Sequence, residues 1–202
     1  MFKITYQVHT YLEMQHMGWA EWQKCLSIAR PIVAEVRKEL KAFAETGCKA
    51  HKEKADELKR SLPGACFQAS DFEVSVGTKK YNKGKRGRWR EQVHAYLSGL
   101  AVIDVDHIGS PRELFEHIQA QHDLKALGIL LIYVSASGEG MKIVFRARQE
   151  WGNLICNQYE MAQVLGVPVD DSCKDSSRLS FLTGPDDVLY IDSETLFNHQ
   201  ND

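Results

Sequence analysis

Residues 100–105 (LAVIDV) form an apolar run interrupted by a single carboxylate. Successive side chains of a strand point to opposite sides, so a run without polar alternation reads as a strand buried on both faces. Residues 127–135 and 141–146 have the same character, and the Ser-Gly-Glu-Gly between them is a tight turn. Between the first two runs, Ser110, Pro111 and Glu113 open a helix: an N-cap, a proline at the first helical position and a capping-box partner. That helix runs to about residue 122. A second helix spans about 152–165, and residues 178–182 and 188–191 read as further strands. Any fold for this chain must therefore cover a mostly apolar sheet on both sides.

The order β-α-β-β-α-β predicts an α/β (α+β) sandwich of the RRM-like type. The first part of the chain differs. Residues 2–9 alternate and predict an edge strand. From 18 to 45, Trp22, Leu26, Val33, Val36, Leu40 and Phe43 recur at helical spacing, with Pro31 expected to kink or divide the helix and Gly47 to stop it. A charged helix follows over 49–60, then a strand or loop over 65–72 and a helix-like piece over 91–97. The expected organisation is a strand and helical extension over 1–60 and a core over 61–202, packed as one unit. With 44% hydrophobic residues, a buried core is feasible.

The net charge of -2 conceals an asymmetry. Residues 77–90 (GTKKYNKGKRGRWR) carry Lys79, Lys80, Lys83, Lys85, Arg86, Arg88 and Arg90 and no acidic side chain, whereas the rest of the chain holds 18 basic against 27 acidic residues. A basic segment on an acidic body points to a polyanionic partner, with Tyr81 or Trp89 available to stack on bases. No apolar run is long enough for a transmembrane helix, and the N-terminus lacks a signal-peptide core, so no membrane association is expected. Five widely spaced cysteines without a CxxC pair fit a reducing cytoplasm.

Asp104 and Asp106 stand two residues apart and so face the same side of a strand. Two adjacent carboxylates repel each other, and Mg²⁺ or Mn²⁺ would remove that cost. Two-metal phosphoryl transfer needs a third carboxylate. Asp170, continuing the apolar Val167-Pro168-Val169, is the best candidate, ahead of Asp171 and Asp175. The turn Ser137-Gly138-Glu139-Gly140 can bring backbone close to a phosphate, with Lys142 beside it; Arg178 could grip a triphosphate. Each feature also has a plain structural reading: a solvated Asp, a simple hairpin turn, a salt-bridge partner.

In this order, the residues resemble a known family. Leu62-Pro63 with Phe67 and Phe72, residues 98–106, residues 135–143 and residues 170–182 are similar to motifs of the archaeo-eukaryotic primase superfamily, in its primase-polymerase branch related to the BT4734-like and VirE N-terminal domains. The resemblance covers roughly 55–192. It implies a primase-polymerase catalytic core in which Asp104, Asp106 and Asp170 bind Mg²⁺ or Mn²⁺. Ser137, Gly138, Gly140, Lys142 and Arg178 would bind the nucleoside triphosphate. Many members carry a histidine where this chain has Lys142. The implied partner is a single-stranded or primed DNA template; no GxxxxGK[ST] loop occurs in this sequence, so any helicase would be a separate partner.

The expected activity is thus nucleotide transfer onto a template-directed primer. A non-catalytic nucleic-acid-binding module with the same fold is the alternative. A DxD-dependent nucleotide-sugar transferase is a third, which leaves the basic segment without a role.

Overall fold

The computed structural model describes residues 2–168 and 174–199. Strands β1 (Thr5–Gln7) and β2 (Gln15–His16) are antiparallel, and α1 (Trp19–Thr46) follows. The apolar stripe of α1 buries Trp22, Cys25, Leu26, Ala29, Val33 and Val36. The helix runs unbroken through Pro31. Both Pro31 and Ser27, whose carbonyl the proline cannot bond, lie exposed, so water can satisfy that group. Gly47, at φ 66°, caps the helix by donating its N–H to Phe43 O at 2.8 Å, a left-handed conformation that suits glycine.

Helix α2 (Lys49–Arg60) buries little besides Ala55. Its attachment to α1 is partly ionic: Glu39, buried on α1, accepts from Lys54 Nζ and interacts with His51 Nδ1, each at 2.6 Å. The Lys54 bond, then the His51 bond, holds the Glu39 carboxyl below the usual glutamate range, and the same contact pushes Lys54 up. A depressed carboxylate stabilises the fold above its unfolded pKa, and the contribution disappears as pH falls through the folded value. Thermal melts should therefore show the gap between wild type and Glu39→Gln closing as pH falls below the ordinary glutamate range. On the alkaline side, the Lys54 contribution should fade only above the ordinary lysine range.

Strands β3 (Gly64–Cys66) and β4 (Ala69–Phe72) replace the strand or loop expected over 65–72. β1 pairs with both β2 and β3, so it is an inner strand and not the expected edge; Thr5, Tyr6 and Gln7 are all buried, and exposed β2 takes the edge. β5 (Val74–Val76) and β6 (Arg86–Arg88) pair as a hairpin. Residues 91–97 are not a helix: a 3₁₀ turn, Gln92–His94, leads into β7 (Ala95–Leu97), which pairs with β4. Val93, Tyr96 and Leu97 are exposed, so there is no apolar helix face to bury, and backbone pairing decides the conformation.

The remaining elements are β8 (Leu100–Val105), α3 (Pro111–Gln121), α4 (Leu124–Leu127), β9 (Ile129–Val134), β10 (Met141–Arg146), α5 (Leu154–Leu165), β11 (Ser180–Phe181), β12 (Val188–Ile191) and α6 (Ser193–Phe197). Ser110 caps α3 by accepting from Glu113 N at 3.4 Å, but its own N–H goes to Ile108 O, so the capping box is half made. The larger sheet is antiparallel at each pairing, in the order β12-β9-β10-β8. β8 and β9 are thus parallel with β10 between them, a split βαβ unit. A smaller sheet, β11-β3-β1-β2, joins the N-terminal strands to the C-terminal part of the chain.

The result is a mixed α/β fold with two buried sheet faces. Ala101, Ile103 and Val105 of β8 pack with Ile118 of α3 and Met161, Ala162 and Leu165 of α5. Leu100 and Val102 face the other way, against Trp22 and Leu26 of α1, Tyr6 and Ala65 of the smaller sheet, and Ile4 just before β1. Alternation along β8 puts Asp104 on this second face.

Candidate functional site: a cleft of opposed charges

Where β8 ends, the larger sheet opens into a cleft of about 460 Å³. Asp104, Asp106, Ser137, Lys142 and Arg178 line it, together with Thr10, Lys59, Arg90, Ser135 and Phe181. Five residues expected from the sequence to act together thus meet in one place. Asp170 and Asp171 lie outside the described residues.

The strand register fixes the centre of the cleft. Lys142 on β10 lies directly opposite Asp104 on β8, and its ammonium forms an ion pair with the Asp104 carboxylate. Both side chains are largely buried, at 12% and 6% exposure. A carboxylate so removed from water requires a compensating charge or donors.

The 135–140 turn forms the roof. Ser135 N donates to Gly140 O at 2.8 Å, and Gly138 N to Ser135 O at 2.9 Å. Glu139 N bonds Ser137 Oγ at 3.4 Å. The Gly138 and Glu139 amides are therefore used inside the turn. Gly138 has φ 85°. Gly140 is needed for close approach, since a methyl there would lie 2.8 Å from both Asp106 Oδ1 and Val105 O. The carbonyl of Glu139 accepts from Ile108 N at 3.0 Å, tying the turn to the loop that follows Asp106.

Arg37 of α1 holds the turn from behind. Its Nη2 donates to Ser135 O at 3.1 Å and to Asp187 Oδ2 at 3.0 Å. On another wall, Ser177 O accepts from Arg90 Nη1 at 2.9 Å and from the Cys66 thiol at 3.4 Å, which sets the backbone next to Arg178. Burial pushes the Cys66 thiol up to about 12, so it acts as a neutral donor.

Beneath Asp104, the outer edge of β8 is closed by two buried glutamines. Gln68 Oε1 accepts from Val102 N at 3.0 Å. Gln158 Nε2 donates to Val102 O at 2.8 Å and to Gln68 Oε1 at 3.0 Å. Gln68 Nε2 reaches Asp175 O at 2.7 Å. Val167, for its part, is buried with Ile103 and Val105. The chain is thus anchored beside β8 both shortly before and shortly after Asp170.

The basic segment is an ordered hairpin arm. Asn82 is buried in its tip and accepts from Lys79 N at 2.9 Å. Lys79, Lys80, Lys83, Lys85 and Arg86 are exposed, while Arg88 pairs with Asp71 at 3.1 Å. Trp89 is buried and donates its indole N–H to Lys85 O at 3.0 Å, so it is a structural residue rather than a stacking surface; Tyr81 is exposed. Arg90 belongs to the cleft wall, not to the arm.

Sequence reasoning does not single out Thr10, Lys59, Arg37, Gln68 or Gln158. Each comes from an element distant in sequence, and only the paired sheets bring them together. The position of Lys59 in the last turn of α2 gives no such signal.

In this mixed α/β domain, Asp104 and Asp106 at the end of β8 share one cleft with Lys59, Arg90, Lys142 and Arg178. Residues 81–190, more than half of the chain, match the family described as BT4734-like, N-terminal domain, and the chain belongs to that family. No curated protein and no solved structure matches it. Among the described residues, no helix is long and apolar enough to cross a membrane.

Proposed function

We propose that this chain is the catalytic domain of a metal-dependent primase-polymerase, with an RRM-like core, that transfers nucleotides from nucleoside triphosphates to a primer on a DNA template. The observation that carries this reading is the meeting of Asp104, Asp106, Ser137, Lys142 and Arg178, from separate motifs, in a single cleft.

The donor set suits a hard cation: carboxylate oxygens, with a serine hydroxyl nearby. Among the described residues, no cluster of three His, Cys, Asp or Glu side chains is present, so the set is complete only with Asp170. Asp104, Asp106 and Asp170 would hold Mg²⁺ or Mn²⁺, which when bound neutralises charge on the reacting phosphates and lowers the pKa of the attacking hydroxyl. The protein's own part is orientation and charge. Arg90, Arg178 and Lys59 would bind and align the triphosphate, and Ser137 would donate to it. Lys142 would offset charge developing on the leaving pyrophosphate. Labelled-nucleotide incorporation on a primed template with Mg²⁺ or Mn²⁺ tests the proposal. Binding of template without incorporation would favour a non-catalytic module, a reading motivated by the ion pair that already engages Asp104.

The hairpin arm would hold the template backbone. Changing Lys79, Lys80, Lys83 and Lys85 to alanine should leave the melting temperature nearly unchanged, because these side chains are exposed. Binding to a single-stranded oligonucleotide should weaken. The slope of log K against log salt should flatten by about 0.7 for each phosphate that the arm no longer neutralises. Unchanged affinity and slope, read by fluorescence anisotropy, would remove the arm from the interface.

A further inference from the structure

We infer that Lys142 is a tethered cation occupying one side of the proposed metal site, so that a divalent ion reaches Asp104 in competition with the protein's own ammonium group. The inference rests on the metal reading above. Three observations carry it. The backbone register sets residue 142 directly across from residue 104 in an antiparallel pair. The two side chains form an ion pair, and both are largely buried. Both also line the cleft, so the pair sits where an incoming ion would bind rather than behind it.

A buried carboxylate is costly without a positive partner. Here that partner is supplied through β10. A metal ion approaching Asp104 meets a like charge at short range, so its binding must either displace the ammonium or bear the repulsion. Lys142 would thereby stabilise the metal-free protein and weaken its hold on the metal. A triphosphate entering the cleft would offer Lys142 another anion, which makes the nucleotide itself the agent that opens Asp104 to the ion.

Lys142→Gln tests this, because glutamine keeps an N–H donor for Asp104 while removing the charge. Mn²⁺ alone is the probe, with free ion followed by electron paramagnetic resonance and folding by thermal melts. In EDTA the variant should melt below wild type. With Mn²⁺ it should bind the ion at least about tenfold more tightly, equivalent to roughly 1.4 kcal/mol, and show the larger rise in melting temperature. The double variant Asp104→Asn/Lys142→Gln should lose this gain in Mn²⁺ affinity. If wild type and Lys142→Gln bind Mn²⁺ equally well, the inference is overturned and the metal reading stands. If neither binds Mn²⁺, the metal reading fails and the inference falls with it.

Discussion

Asp104→Ala is expected to bring template-directed nucleotide incorporation down to background and to destabilise the protein at the same time. The second effect follows from burial. Removing the carboxylate leaves the Lys142 ammonium, itself only 12% exposed, without that partner. Breaking a buried ion pair from one side typically costs about 3–5 kcal/mol. Loss of activity in Asp104→Ala alone would therefore mix chemistry with folding. Asp104→Asn separates them: an amide oxygen can still accept from Lys142, so the variant should lose less stability, yet it lacks the charge that holds a cation. Primer extension and denaturant titration on both variants give four readings. A folded Asp104→Asn that extends primers at the wild-type rate would end the assignment of Asp104 as a metal ligand.

Gly140→Ala should be the most damaging of the small substitutions. The added methyl would meet Asp106 Oδ1, Val105 O and Ser135 Oγ, at 2.8, 2.8 and 3.0 Å. A carboxylate or hydroxyl can rotate away. The Val105 carbonyl cannot, because β8 is fixed by its pairing with β10 at Met141. The roof of the cleft must lift instead, at a cost of about 1–3 kcal/mol, the usual range for overpacking. Lifting would also shift Ser137 and the loop after Asp106, so triphosphate affinity should fall by more than the loss of stability alone explains. Isothermal titration with a nucleoside triphosphate, beside a thermal melt, measures the two separately. Stability and affinity both at wild-type level would show that the turn tolerates the methyl and that its tight seat on Asp106 is unimportant.

Local signals are readable where the chain's own pattern dictates structure. The unbroken apolar runs become β8, β9 and β10, and Ser110, Gly47 and the charged 49–60 stretch set helix boundaries within a residue or two. The carboxylates, the serine-glycine turn and Arg178 are legible for the same reason: each lies at the end of a strongly patterned segment. What escapes is set by partners distant in sequence. The register that places Lys142 against Asp104 depends on how two strands align, not on either strand alone. Pro31 reads as a point where the helix kinks or divides, and the helix does not divide because the lost bond faces water, which the sequence does not show. Trp89 reads as a base-stacking surface, since nothing in a basic stretch reveals that a neighbouring carbonyl has claimed the indole N–H. Gln68 and Gln158 carry no motif; together they give Val102, on the outer side of β8, the acceptor and the donor that a neighbouring strand would otherwise provide.

The smaller sheet has a consequence for anyone who trims this protein to the region that the family model matches. The matched region begins at residue 81, whereas β1, β3, α1 and α2 all precede it. Of these, β1, β3 and α1 cover Leu100, Val102, Tyr133 and Val144, and the same part of the chain supplies Thr10 and Lys59 to the cleft and Arg37 to the turn above it. A fragment cut at residue 81 would open one side of its central sheet to water and lose a wall of its own site. The matched region and the foldable unit are different lengths of chain, and expression should follow the second.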